Sequence, residues 1–185
     1  MNRGRRSSNQ EQVKLATEAT PSEYRSLDFV NYDMPGHLIR RLEQIAVRLF
    51  AEGAERCGSD LTKVQYAALT AIRQFPRIDQ ASLAAVISYD RTTIGGVVDR
   101  LESKGLVRRL HSPTDRRLWQ LVIEPAGEEH LRLLDGPVAW SQERILAPLT
   151  ESERTQFLAL ARKLIEVDEK NGRPQPRTRA RRISR

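Results

Sequence analysis

The chain has 185 residues, of which 39% are hydrophobic and 5% aromatic, and its 31 basic and 24 acidic side chains give a net charge of +7. This size and composition are typical of one modest globular domain. No segment approaches the roughly 18 consecutive apolar residues that a membrane-spanning helix needs, and no apolar run follows the basic N-terminus to make a signal peptide. We therefore expect a cytoplasmic protein with no membrane partner.

The sequence offers few groups for metal, redox or catalytic chemistry. Its single cysteine, Cys57, excludes an internal disulfide, and no Cys-x-x-Cys pair or cluster of histidine and cysteine is present. The sequence also lacks the nucleophile-elbow, phosphate-loop and zinc-protease motifs. It therefore predicts a protein that is not an enzyme and that has no metal site and no cofactor.

The positive charge is concentrated at the C-terminus. Residues 170–185 contain seven basic side chains and no acidic one, so residues 1–169 are neutral as a group. Two prolines and the scarcity of large apolar side chains predict a disordered basic tail over 170–185, which is either a solubilising end or a non-specific contact to phosphate. The polar residues 1–32 predict a flexible N-terminal extension.

Apolar residues at helical spacing predict four helices in the first part of the chain. A turn of three residues separates the third helix from the fourth, which is typical of a helix-turn-helix. The four helices are bounded by residues that favour helix starts and ends: Pro35 and Gly58, Thr62 and Pro76, Asp79 and Ile87, and Asp90 and Gly105.

The periodicity changes after Gly105. Residues 106–111 and 118–123 are β-branched, aromatic or alternating, and turn-forming residues separate them, so they predict a β-hairpin. Helical spacing then returns in two further helices, over about 125–149 and from Thr150 onward. The predicted fold class is mainly α with a small β-hairpin wing, a winged helix-turn-helix core flanked by further helices.

The fourth helix has a small, polar face opposite its apolar one. Helical steps from an Asp90 cap place Thr92 and Gly96 on that face, with Thr93 and Arg100 on its flanks. Arg91 lies in the first turn, where it can bind a phosphate or take guanine through two hydrogen bonds. We therefore predict that this helix contacts DNA in the major groove.

The pair Gly95-Gly96 is unusual in a helix, because each glycine costs about 1 kcal/mol relative to alanine. Close approach to DNA is one explanation for the pair. Close packing against the third helix is the other, and the sequence does not decide between them.

Basic residues are concentrated in the predicted helix-turn-helix and hairpin. Residues 91–117 hold seven basic and three acidic side chains, a local excess of +4. Arg116 and Arg117 fall in the hairpin loop, where a guanidinium group can enter the minor groove. We expect Asp115 to pair with a neighbouring arginine and fix the shape of the loop.

Four segments carry a resemblance to a known family: LTKVQY (61–66), DRTT (90–93), VDRLESKGLVRR (98–109) and PTDRR (113–117). Over about residues 35–168, the chain resembles the MarR family of bacterial winged-helix transcriptional regulators. The resemblance implies a homodimer that binds a pseudopalindromic operator in double-stranded DNA, acts as a repressor and releases DNA when a small molecule binds. It also implies that Asp115 and Arg117 fill the Asp-x-Arg positions of the wing.

The apolar stripes of the helices predict a dimer independently of the family resemblance. A winged-helix core of about 65 residues is too small to cover the stripes of the first helix and the last two helices, so a second chain is their natural cover. We assign residues 33–60 and 125–169 to dimerisation and residues 61–124 to DNA binding. Two-fold symmetry then predicts an inverted repeat with half-sites roughly 34 Å apart.

Four residues are candidates for binding the effector. His37, Arg40 and Arg41 on the first helix and Tyr66 on the second supply cationic and aromatic groups. The segment MPGHLIRR (34–41) resembles regulators that respond to aromatic acids, hydroxycinnamates or their coenzyme A thioesters. The alternative is that both arginines are surface charges on the dimer and that the histidine caps or packs.

Two further hypotheses remain open at this point. Cys57 could sense oxidants, since reactive thiolates are oxidised reversibly. The chain could instead be a winged-helix module for protein interaction, for which we would expect an acidic or apolar recognition face. The polar face with basic flanks favours DNA binding over that alternative.

Overall fold

A computed structural model describes residues 33–112 and 118–172. The chain forms two compact units, residues 1–43 and 44–185. The boundary falls within helix α1 (Pro35–Arg56), so the described part of the first unit is residues 33–43. The predicted N-terminal extension and the loop segment 113–117 lie outside the described residues.

The second unit contains the rest of α1 and all the other elements. The described ranges hold six helices and one hairpin, which confirms the predicted mainly α fold class with a β-hairpin wing. In chain order the remaining elements are α2 (Lys63–Gln74), α3 (Gln80–Val86), α4 (Arg91–Ser103), β1 (Val107–His111), β2 (Trp119–Ile123), α5 (Pro125–Leu146) and α6 (Glu151–Gly172).

Side-chain caps start three of these helices where the sequence predicts them. Thr62 and Gln65 form a reciprocal capping box at the start of α2, with Thr62 Oγ1 accepting from the Gln65 N–H at 3.3 Å. Asp79 accepts two backbone N–H groups at 2.9 Å at the start of α3. Asp90 accepts the Thr93 N–H at 2.8 Å at the start of α4. Each cap satisfies backbone donors that have no partner inside the helix.

Several turns that follow helices contain a residue with positive φ. Gly105 ends the C-terminal turn of α4 at φ 70°, as expected for a helix terminator. Ser88 makes the turn between α3 and α4 at φ 60°, a left-handed conformation that costs a residue with a Cβ atom. The turn of the helix-turn-helix therefore contains a residue, Ser88, in a strained backbone conformation.

The hairpin and the helix-turn-helix share one core. The strands are antiparallel, in a register from Val107 opposite Ile123 to His111 opposite Trp119, and an isolated bridge joins Asp79 to Gln120. Alternate residues of the strands therefore face the helices. The largest fully buried aliphatic side chains are Leu69, Ile72, Leu83, Ile94, Leu101, Leu106, Leu121, Leu131 and Leu134.

Helix α1 packs closely on helix α5. A Cβ atom at Gly53 would lie 2.9 Å from the carbonyl oxygen of Pro137, so glycine is required at this crossing. Helix α6 leaves large apolar side chains uncovered, with Leu160 54%, Leu164 68% and Ile165 58% exposed. Helix α6 therefore carries an apolar surface that residues 33–112 and 118–172 do not bury.

The last helix extends further than the sequence predicts. α6 ends at Gly172, so residues 170–172 are helical, although we expected the disordered tail to begin at residue 170. Lys170 and Asn171 do not interrupt a helix, whereas Pro174 is the first residue that cannot continue one. Residues 173–185 lie outside the described part of the chain. Within the described ranges, no helix combines the length and apolar character needed to cross a bilayer.

Candidate nucleic-acid interface and ligand cavity

Helix α4 separates its apolar and polar residues as predicted. Its buried side chains are those of Ile94, Val97, Val98 and Leu101. The exposed side chains that we predicted to contact DNA are those of Arg91, Thr92, Thr93 and Arg100, and Gly96 is half-buried. The helix therefore has a core face and a small polar face with a basic residue at each end.

The N-terminus of α4 is occupied by a carboxylate. Thr93 donates its backbone N–H to Asp90 at 2.8 Å and its hydroxyl hydrogen to the same side chain at 2.5 Å. These hydrogen bonds to the charged carboxylate hold the pKa of Asp90 below its ordinary value. The Thr93 hydroxyl therefore has no hydrogen left to donate to a base, although its methyl group remains available. Asp90 therefore caps α4 as the sequence predicts, and the role of Arg91 in binding phosphate or guanine stays a prediction.

The two adjacent glycines of α4 have different surroundings. A Cβ atom at Gly95 would lie 3.3 Å from Nε2 of Gln80, at the end of a flexible side chain on α3. At Gly96 nothing lies within 4 Å of such an atom. Packing against the third helix therefore explains at most Gly95. Within the described residues, no side chain or backbone atom requires glycine at position 96.

Of the five basic residues of 91–117 that the structure describes, three form ion pairs. Lys104 lies 2.6 Å from Asp60, and Arg108 lies 2.6 Å from Glu124. Both acidic partners are outside the segment, so counting them lowers its excess from +4 to +2. The third is Arg109, which we counted in the DNA-facing cluster. The cationic surface is therefore smaller than the sequence predicts.

Arg109 joins the hairpin to the recognition helix. Its backbone N–H donates to Oε1 of Glu102 at 3.0 Å, and its guanidinium group contacts Glu102 and Asp99. The arginine side chain is only 20% exposed. Hydrogen bonds between charged partners in partial burial are stronger than those at the open surface. We therefore assign Arg109 to holding the wing against α4.

Two of the predicted DNA-binding cations have no counter-ion nearby. Within residues 33–112 and 118–172, neither Arg91 nor Arg100 forms an ion pair. Their charge is therefore available for a polyanion. Asp115, Arg116 and Arg117 of the hairpin loop lie outside the described residues, and their roles remain predictions.

The second unit contains a cavity of about 350 Å³ between helices α1, α2, α3 and α5. Tyr66 lines it, and its ring lies 5.5 Å from that of Phe50. The hydroxyl oxygen of Thr70 is buried and has no hydrogen-bond partner among the described residues. The lining residues are Ala46, Phe50, Lys63, Tyr66, Ala67, Thr70, Ala71, Gln74, Val86, Ile87, Val138 and Gln142.

Of these lining residues, only Tyr66 is predicted from the sequence as a ligand-binding candidate. Helix α2 carries polar side chains at helical spacing: Lys63, Tyr66, Thr70 and Gln74. This spacing is the signal that would have pointed to the other three polar lining residues of that helix. That signal is weak, because a polar stripe on a helix is usually a solvated face.

The remaining candidate residues lie elsewhere in the chain. His37 is half-buried and Arg40 and Arg41 are exposed, all three in the first compact unit. The role of these three residues in ligand binding stays a prediction. Cys57 is half-buried beside the core, and its thiol donates a hydrogen bond to the Ala54 carbonyl at 3.2 Å.

Comparison with known proteins places these features in a family. The model of the MarR family matches residues 61–118. The transcriptional repressor NicR of Pseudomonas putida is 34% identical to the chain over 164 residues, which cover 85% of the chain and all of NicR.

Two solved structures have the same fold. PcaV of Streptomyces coelicolor, in complex with its natural ligand, is 33% identical with a TM-score of 0.65, over 74% of the chain and 94% of PcaV. BpsR of Bordetella bronchiseptica, whose DNA binding is regulated by 6-hydroxynicotinic acid, is 26% identical with a TM-score of 0.67, over 72% of the chain and 94% of BpsR.

The identity to a full-length repressor, the winged helix-turn-helix and the polar, basic-flanked face of α4 agree with one another. The chain belongs to the MarR family and is a DNA-binding transcriptional regulator.

Proposed function

We propose that the protein is a ligand-released repressor that binds an inverted-repeat operator as a homodimer. The observation that carries the proposal is the exposed face of α4, where Arg91 and Arg100 have no ion-pair partner among the described residues. Arginine without an internal counter-ion is suited to phosphate and guanine. NicR, named as a repressor, supports repression over activation.

The exposed apolar side chains support a dimer. Leu160, Leu164 and Ile165 on α6 are each more than half exposed, and Val47 on α1 is 45% exposed. Large apolar side chains exposed in this number on neighbouring turns of a helix are typical of an interface in soluble proteins. A two-fold axis through it would present two α4 helices to successive major grooves.

The residues of α4 and the wing divide into two roles. Arg91, Thr92 and Thr93 would read base edges, with Gly96 allowing the helix to approach closely and Arg100 contacting the backbone. In the wing, Arg116 and Arg117 would contact the minor groove, and Asp115 would fix the loop.

The cavity is the proposed effector site. Its volume of about 350 Å³ is at the small end of the range for ligand pockets, which favours an aromatic acid over its coenzyme A thioester. Tyr66 offers an aromatic face and Lys63 a cation for a carboxylate. The unpartnered Thr70 hydroxyl can bond a polar group of the ligand. The regulation of BpsR by 6-hydroxynicotinic acid supports this class of effector.

The operator proposal is tested by selecting duplexes from a random library with the purified protein and sequencing them. We expect an inverted repeat that is bound far more tightly than random DNA at fixed salt. Arg91→Ala and Thr93→Ala should change the selected sequence, whereas Arg117→Ala should weaken binding to all duplexes alike. Equal losses on selected and random DNA for all three variants would refute this division of roles.

The effector proposal is tested by adding aromatic acids and their coenzyme A thioesters to the protein–DNA complex. Thr70→Val keeps the shape of the side chain and removes its hydroxyl, so about tenfold more effector should be needed for half-release. DNA binding without effector should not change. Thr155→Val, the same change at an exposed position of α6, is the matched control. Identical release curves for both variants would exclude a hydrogen bond between the effector and the Thr70 hydroxyl.

The same proposal covers activity and compartment. Since the family and the NicR relative are regulators, we infer that the chain is not an enzyme. A repressor acts on chromosomal DNA, which supports a cytoplasmic location.

A further inference from the structure

An exposed aromatic pair lies at the open end of the hairpin. His111 and Trp119 are directly opposite each other in the strand register, and their ring centroids are 3.9 Å apart at an interplanar angle of 31°. Trp119 is 46% exposed, and the preceding Leu118 is 52% exposed. The indole is therefore held in place by a stacked neighbour while much of its surface faces outward.

The aromatic pair lies on the side of the hairpin that is turned toward α4. Side chains alternate along a strand, so Trp119 and His111 share a face with Leu121 and Arg109. Leu121 is buried in the core, and Arg109 binds Asp99 and Glu102 of the recognition helix. Beyond that contact, the aromatic pair is the exposed part of this face among the described residues.

Helix α4, to which Arg109 joins this face of the hairpin, offers positive charge to a polyanion. Asp99 and Glu102, the acidic side chains of α4 on this side, both pair with Arg109, which offsets one of their two negative charges. Arg91 and Arg100, also on α4, have no ion pair within the described ranges. An exposed aromatic ring on a hairpin that is joined to a helix with unpaired arginines fits a nucleic-acid-binding surface.

We propose that Trp119, supported by His111, packs its indole face against the deoxyribose groups of operator DNA that flank the α4 contact. This inference rests on the proposed operator binding. Aromatic and aliphatic side chains add affinity to DNA complexes by covering apolar sugar and base surface without reading sequence. The contact involves no phosphate, so its contribution does not depend on salt.

The first test measures affinity for a duplex that the protein has selected from a random library. Trp119→Ala should bind about tenfold more weakly at every salt concentration, with an unchanged slope of log K against log salt. Trp119→Phe, which keeps an aromatic face, should bind within about twofold of the unaltered protein. Arg100→Ala is the contrasting variant, because we assign Arg100 to the DNA backbone and loss of a phosphate contact lowers the slope by about 1.

The second test uses the fluorescence of the indole and does not depend on the affinity of a variant. The chain has two tryptophans, so Trp140→Phe leaves Trp119 as the only indole. Saturation with the duplex should shield it from quenching by acrylamide. In Trp119→Phe, the remaining Trp140, stacked under Arg56 at 3.8 Å on another surface, should keep its accessibility.

The possible outcomes distinguish failure of the Trp119 proposal from failure of the proposed operator binding. An indole at position 119 that stays accessible in the saturated complex, or a change in salt slope in Trp119→Ala, overturns the proposal. Concentration-dependent shielding of Trp119 without DNA also overturns it, because a second copy would then cover the ring. Failure of the unaltered protein to bind any selected duplex would instead refute the proposed operator binding.

Discussion

Replacing Gly96 with alanine should change the stability of the protein and its affinity for DNA in opposite directions. The site is inside helix α4, and a Cβ atom there meets nothing within 4 Å. Alanine is favoured over glycine in a helix by about 1 kcal/mol. Gly96→Ala should therefore raise the free energy of unfolding by about that amount, which corresponds to an increase of roughly 2–4 °C in Tm for a chain of this size.

The same methyl group lies on the face proposed to meet DNA. If the helix approaches the base edges as closely as glycine permits, an added methyl costs about 1–3 kcal/mol of binding, because tightly packed surfaces cannot accommodate it. This is a loss of roughly 5-fold to 150-fold in affinity. The expected variant is thus more stable and binds its operator more weakly.

Thermal unfolding and fluorescence anisotropy with a labelled selected duplex measure the two effects. Gly136→Ala is the matched control for affinity, because its Cβ also meets nothing within 4 Å but lies on α5, and it should bind as the unaltered protein does. A lower Tm for Gly96→Ala would contradict the open space at this position. A higher Tm with unchanged affinity would show that DNA does not approach Gly96.

Three further predictions concern stability. A Cβ atom at Gly127 would lie 2.4 Å from the carbonyl oxygen of Leu106, so Gly127→Ala should lower the free energy of unfolding by about 2 kcal/mol in urea titrations. An unchanged urea midpoint would contradict that packing. Because Ser88 has φ 60°, Ser88→Gly should be more stable than Ser88→Ala by about 1–2 kcal/mol, and equal stabilities would exclude left-handed strain. The lowered pKa of Asp90 means that its charged form stabilises the fold above the unfolded pKa of about 3.9 and that this contribution is lost as pH falls through the folded value. The Tm difference between the unaltered protein and Asp90→Asn should therefore shrink below about pH 4, whereas a constant difference would refute the linkage.

Local chemistry in the sequence was sufficient to predict the elements. Thr62, Asp79 and Asp90 cap their helices as expected, because an N-cap bond joins residues only two or three positions apart. The hairpin and the amphipathic faces follow from the period of the apolar residues in the same way. Such features need no knowledge of distant contacts.

The recognition face was predictable in its composition but not in its hydrogen bonds. The helical period places Arg91 and the two threonines of α4 at the surface, as predicted. That Thr93 gives its hydroxyl hydrogen to Asp90 depends on the rotamers of both side chains. The sequence permits that bond without requiring it.

The charge distribution is decided by contacts between residues far apart in the chain. Arg108 and Lys104 appear in the sequence as members of a DNA-facing cluster, yet they pair with Glu124 and Asp60, which other elements supply. Arg109 is similarly used to hold the wing against α4. An ion pair across many residues forms only where packing places the two groups within about 4 Å, and local pattern carries no information about that distance.

The cavity also arises only in the tertiary structure. Its lining comes from four helices, and the unpartnered hydroxyl of Thr70 is notable only because neighbouring helices bury it. The sequence by itself determined where helices begin, which faces are apolar and that one surface suits DNA, because those properties depend on residues within a few positions of each other. Which cations are already neutralised, which glycine is open and where a ligand fits were decided by packing between elements distant along the chain.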